Sequence, residues 1–167
     1  MKYTAEELQQ YFVDGFLFLE GLDIEELPEG LVVERDADLR DCLNLTELPK
    51  GFAVKGDLTL CGCTYLASLP EGLTVGGCLD LRDCLNLTEL PKGFTVKGDL
   101  TLRGCTYLTT LPEGLTVGGF LDLRECENLA ELPKGLKVGK WLNIRDTGLS
   151  RARIPEDAQI GKKIYCD

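Results

Sequence analysis

Apolar residues recur along this chain on a fixed beat. The tetrapeptides Leu-Pro-Glu-Gly and Leu-Pro-Lys-Gly begin at Leu27, Leu48, Leu69, Leu90, Leu111 and Leu132, each 21 residues after the last. Written from its Leu-Pro, the unit reads L-P-[EK]-G-[LF]-x-V-x-x-x-L-x-L-x-x-C-x-x-L-x-x. Within it, LxL alternates with the period of a strand, so both leucines point to one side and the residues around them to the other. A fixed period of this length predicts a solenoid in which each unit is one coil. Stacked coils would lie roughly 4.8 Å apart, which joins the LxL segments into one parallel sheet. Pro and Gly in LPxG forbid helix continuation and force a turn, so extended or short 3₁₀ structure is expected in that half. Val and Leu or Phe of the GLxV segment fill the core from a second side; alternation alone leaves open whether that segment is also strand.

The unit resembles the leucine-rich repeat, whose pattern LxxLxLxxN/CxL shares the central LxLxxC. The first Leu of that pattern is displaced here, because Val75, Val96 and Val117 stand four residues before their LxL pairs. The LxxLPxGL half is similar to the short repeats of bacterial leucine-rich proteins, effector proteins included. The resemblance covers Phe16 to the C-terminus. It implies a mainly β, right-handed leucine-rich repeat solenoid with one parallel sheet and little or no convex helix, and protein binding as its use.

Solenoid ends expose core and need caps. Residues 1–15 are expected to form a short N-terminal capping helix, with a Thr4–Glu7 capping box and Leu8, Tyr11 and Phe12 over the first coil. The solenoid is expected over 16–153: a partial coil in which Phe16, Phe18, Ile24 and Leu27 fall in phase, then six full coils from Leu27. Thr147 takes the cysteine place, the spacing then slips by one, and 154–167 forms a last partial coil with Ala158, Ile160, Ile164 and Cys166 inward.

Cysteine changes this picture less than its count of 8 suggests. Cys42, Cys63, Cys84, Cys105 and Cys126 repeat every 21 residues, as a structural ladder of small buried side chains closing the turn after each strand. Equivalent residues on stacked coils point the same way, which suits packing better than disulfide geometry. Cys61 and Cys78 fall at outward places and read as free thiols. No metal site is expected, and no cofactor. Histidine is absent altogether, which removes Ser-His, Cys-His and His-metal chemistry. The chain is expected not to be an enzyme.

Function must then lie on the outward face of the sheet. Its first column is Asp36, Asp57, Cys78, Asp99, Phe120, Trp141; its second Asp38, Thr59, Asp80, Thr101, Asp122, Asn143; its third Arg40, Cys61, Arg82, Arg103, Arg124, Arg145. Most of this is expected to be a self-neutralising charge ladder, in which Asp80 and Asp122 screen Arg82 and Arg124. The C-terminal end differs. There Phe120 and Trp141 stand beside Arg124 and Arg145, and aromatic residues with Arg are the composition of interface hot spots. The candidate partner-binding set is Arg103, Phe120, Asp122, Arg124, Trp141, Asn143 and Arg145. A further ladder runs through the LPxG loops as Glu29, Lys50, Glu71, Lys92, Glu113 and Lys134. Its alternating sign makes the true period 42, and it is expected to stabilise neighbouring coils. Residues 41–82 and 83–124 accordingly differ at five places, Ala53/Thr95, Cys61/Arg103, Ala67/Thr109, Ser68/Thr110 and Cys78/Phe120, none of them an inward Leu, Val or ladder Cys.

The formal charge of −10 disfavours nucleic acid and anionic membrane surfaces as partners. The N-terminus lacks the apolar stretch of a signal peptide, and no apolar run suits a bilayer span, so a cytoplasmic location is expected. The reading is a non-catalytic protein–protein interaction module, a monomer or weakly self-associating. The alternatives are a self-associating structural repeat protein, joined through open edges or Cys61 and Cys78, and an acidic decoy or effector-type protein that binds a host or regulatory protein.

Overall fold

Each 21-residue unit closes one turn of a β-solenoid of about seven turns in the computed structural model, which describes residues 1–149 and 153–167. The LxL segments pair as predicted. Ala37–Asp38, Leu58–Thr59, Leu79–Asp80, Leu100–Thr101, Leu121–Asp122, Leu142–Asn143 and Ile164–Tyr165 lie side by side in one parallel sheet. The GLxV segments are strands as well. They form a second ladder in two pieces, Val32–Val33 to Thr74–Val75 and Thr95–Val96 to Gln159–Ile160. On a third side single backbone bonds join coils, from the N–H of Ala67 to the carbonyl of Thr46 and from Thr109 to Thr88.

Between these walls sits one continuous core. In a middle coil Val54, Leu58, Leu60, Cys63 and Leu66 are completely buried, with Leu69 nearly so, and the same places repeat up the array. Each added coil therefore covers the apolar face of its neighbour, which one coil cannot do alone.

The ends depart from expectation. Residues 1–15 carry no α-helix. Glu7–Tyr11 is a five-residue 3₁₀ turn, and Phe12–Val13 is a strand antiparallel to Phe16–Phe18. A segment this short cannot propagate a helix, and Asp14-Gly15, both at positive φ, supply the tight hairpin turn. The Thr4–Glu7 capping box is present: Thr4 N–H donates to Glu7 Oε2 at 2.8 Å and Glu7 N–H to Thr4 Oγ1 at 3.2 Å.

The first coil is also shifted by one residue. Leu17 pairs with Ala37, a step of 20, so Leu17 and Leu19 are the inward pair. Phe16 is half-buried and Phe18 exposed, the reverse of the expected phase. A slip of one residue exchanges the two faces of a strand. At the C-terminal end the step lengthens to 22, with Leu142 beside Ile164 and Asn143 beside Tyr165. Ala158, Ile160, Ile164 and Cys166 pack half-buried against the core. The close of the last full coil, at residues 150–152, lies outside the described residues.

Candidate functional site

The turn after each strand is built around its cysteine. Each ladder thiol donates to the carbonyl of the last strand leucine one coil below, Cys63 to Leu39 at 3.0 Å, Cys84 to Leu60 at 3.2 Å and Cys126 to Leu102 at 3.1 Å. The same carbonyl accepts the N–H of its own coil's cysteine, for example Cys63 N–H to Leu60 at 3.1 Å. Burial pushes the Cys42 thiol up to about 11 and those of Cys63 and Cys126 up to about 12, and raises Cys84 and Cys105 as well. These thiols are fully buried protonated donors, neither nucleophiles nor ligands. All eight cysteines are free, and no cluster of metal-ligating side chains occurs among the described residues.

The outward face divides into working scaffold and one distinct patch. In the first column each of the first four side chains accepts the backbone N–H of the residue one coil above. Asp36 accepts from Asp57 at 2.8 Å, Asp57 from Cys78 at 2.6 Å, Cys78 Sγ from Asp99 at 3.3 Å, and Asp99 from Phe120 at 2.9 Å. These residues satisfy backbone donors between coils; they are not free ligands. Cys78 is therefore a half-buried acceptor rather than a fully exposed thiol. The signal for this was available in the sequence, an Asp immediately before the first inward strand residue in three coils.

The second and third columns lock to each other. Asp38, Asp80 and Asp122 grip Arg40, Arg82 and Arg124 through Nε and Nη2, with Nη2–Oδ2 distances of 2.6 Å in all three. These are two-pronged charge-assisted bonds of the stronger kind. The arginine beside Asp38 holds its carboxyl below the usual range. Arg103, which has Thr101 in place of an Asp, reaches Glu125 of the next coil at 2.8 Å. Asp122 and Asn143, expected to face a partner, are buried at 3% and 8% exposure. Asp122 is spent on Arg124. The LPxG charges, by contrast, form no ion pair among the described residues. Those side chains are exposed, and exposed pairs are worth little in any case.

At the C-terminal end of the face the pattern breaks. Phe120 and Trp141 succeed the acceptors of the first column and stack on each other, ring centroids 4.3 Å apart and planes 7° from parallel. Tyr165 meets Trp141 edge-on at 5.8 Å. Over the Tyr165 ring lie the Arg145 guanidinium, 5.5 Å from its centroid, and the Lys163 ammonium, 4.6 Å from it. Phe120, Trp141 and Tyr165 are each half-buried, so their mutual contacts leave part of the plate open. Expectation placed Phe120 and Trp141 outward beside Arg124 and Arg145; they are outward but packed on each other and against Tyr165. Tyr165 and Lys163 were missed because the outward columns were followed only to Trp141, Asn143 and Arg145, although the slip of one in the last coil was expected and is present. The 22-residue step puts Lys163 above Trp141 and Tyr165 above Asn143.

A smaller aromatic pair marks the other end. Phe16 and Phe18 lie 6.1 Å apart, with the Arg35 guanidinium 5.1 Å from the Phe16 ring. No helix among the described residues is long and apolar enough to cross a membrane. Comparison of the chain with protein-family models, with curated proteins and with solved structures found no match.

Proposed function

We propose that this chain is a non-catalytic scaffold of leucine-rich repeat type that binds a protein partner through the C-terminal end of its long sheet. The observation that carries the reading is the Phe120–Trp141 stack, an aromatic plate that follows the charge-locked middle of the face. The cluster keeps part of its aromatic surface open, and Trp, Tyr and Arg lead the residue types of binding hot spots. In the middle of the face, carboxylates and guanidiniums already satisfy one another and have little to offer a partner. Rings packed against one another before binding lose less freedom on contact than free ones.

The test is capture of partners from extract by the wild-type chain and by a Trp141→Ala, Arg145→Glu double variant, followed by affinity measurement on any protein retained. The expected loss is at least about thirtyfold, the size of a hot-spot truncation near 2 kcal/mol. A partner bound equally well by both chains would sink the assignment of the site.

A further inference from the structure

We infer that the partner presents an acidic segment, with carboxylates for Arg145 and Lys163 beside an apolar side chain that covers the Phe120–Trp141 plate. This rests on the proposed binding site and specifies its chemistry. The argument starts from a comparison of like positions. Five arginines occupy the third column, and four of them have a carboxylate within ion-pair distance: Arg40, Arg82, Arg103 and Arg124. The fifth, Arg145, forms no ion pair among the described residues. In its coil the gripping Asp is replaced by Asn143, whose Oδ1 accepts only the Arg145 backbone N–H, at 3.3 Å. The next residue up the column is Asp167, but its carboxylate turns to the Asp146 N–H at 2.8 Å. Lys163 likewise has no ion pair among the described residues.

Two uncompensated cations thus flank one aromatic cluster on a chain whose net charge is −10. Acids at this end of the face are engaged, Asp99 by the Phe120 N–H and by Lys140 at 3.7 Å, Asp122 by Arg124, and Asp167 by the Asp146 N–H. They screen an incoming anion less than free carboxylates would. Complementary charge selects partners and speeds encounter, and here two cations without an ion pair among the described residues stand at one aromatic cluster. A guanidinium already oriented over a ring is also well placed for a carboxylate, which it meets in a planar fork.

Trp141 is the single tryptophan, so its fluorescence reports on the site without a label. The full chain is titrated with three hexapeptides, each with one phenylalanine among five glutamates, five glutamines or five lysines, and with an oligothymidylate. The glutamate peptide should give a saturable change that weakens with salt, and the glutamine and lysine peptides should bind at least about tenfold more weakly, as expected for loss of charge-assisted contacts. Asn143→Asp recreates the grip that Asp122 has on Arg124 and should cut glutamate-peptide affinity about tenfold while the far-ultraviolet circular dichroism stays unchanged. Arg145→Gln should do the same. Equal binding of the glutamate and glutamine peptides, tighter binding of the oligothymidylate, or indifference to both substitutions would overturn the inference. If no peptide binds while a captured protein still depends on Trp141, the acidic chemistry fails and the binding site stands. If a captured protein ignores Trp141, the site itself fails.

Discussion

Raising the pH puts the buried cysteine ladder to a quantitative test. Burial pushes the folded-state values of Cys42, Cys63 and Cys126 to about 11, about 12 and about 12, and raises Cys84 and Cys105 too, from about 9 for an exposed thiol. Between those limits the folded chain holds protons that the unfolded chain has lost. The stability due to burial of the neutral thiols is therefore complete below about pH 9 and declines as pH rises toward the folded values. At pH 10 an unfolded thiol is about ten times more often ionised than not, which favours unfolding by about 1.4 kcal/mol. Five thiols together give about 7 kcal/mol, comparable with the roughly 5–15 kcal/mol that holds a typical domain folded. Urea unfolding under reducing conditions, followed through Trp141 at pH 8 to 10.5, should show stability collapsing over the upper part of that range. Cys84→Ala should remove about one fifth of the slope, about 1.4 kcal/mol per pH unit. Stability that stays level to pH 10.5, or a slope unaltered by Cys84→Ala, would refute the account of the ladder.

Two further predictions follow from the same geometry. A thiol-reactive dye added to the native chain should label at most the three half-exposed cysteines, Cys61, Cys78 and Cys166, and label all eight only after denaturant is added; labelling of more than three in the native state would contradict complete burial of the ladder. Gly15 holds φ at +84° in the N-terminal hairpin, so Gly15→Ala should cost about 1–2 kcal/mol of unfolding free energy, measured by urea titration, whereas an unchanged midpoint would mean the hairpin does not cap the array.

Much of the fold was legible because the repeat is written six times in phase. The inward LxL leucines, the cysteine ladder and the Asp–Arg screening all follow from a strand period of two read against a coil period of 21. The ends resisted for a physical reason. The run from Phe16 to Leu19 is apolar at every position, so alternation could not say which pair faces inward, and the one-residue deletion lies in the turn between Leu19 and Ile24 where no Leu-Pro marks the phase. At the other end the one-residue slip was legible, but the outward columns were not carried across it to Tyr165 and Lys163. The second ladder was undecided because a two-residue strand leaves no alternation to read. The candidate site was half legible: Phe120, Trp141 and Arg145 stood out by departing from their columns, whereas Asp122 and Asn143 looked outward in register yet are covered once the neighbouring side chains lock down. Register gives a side chain's direction, and only packing gives its exposure.

The central claim is that binding is confined to the C-terminal end of the sheet face. Its most direct test is the dissociation constant of one captured partner for three chains: wild type, Trp141→Ala, and Arg82→Gln in the charge-locked middle of the same face. The account predicts a loss of at least about thirtyfold for Trp141→Ala and a change of less than about twofold for Arg82→Gln, whose guanidinium is already held by Asp80. Equal losses in the two variants, or a loss only in Arg82→Gln, would contradict it.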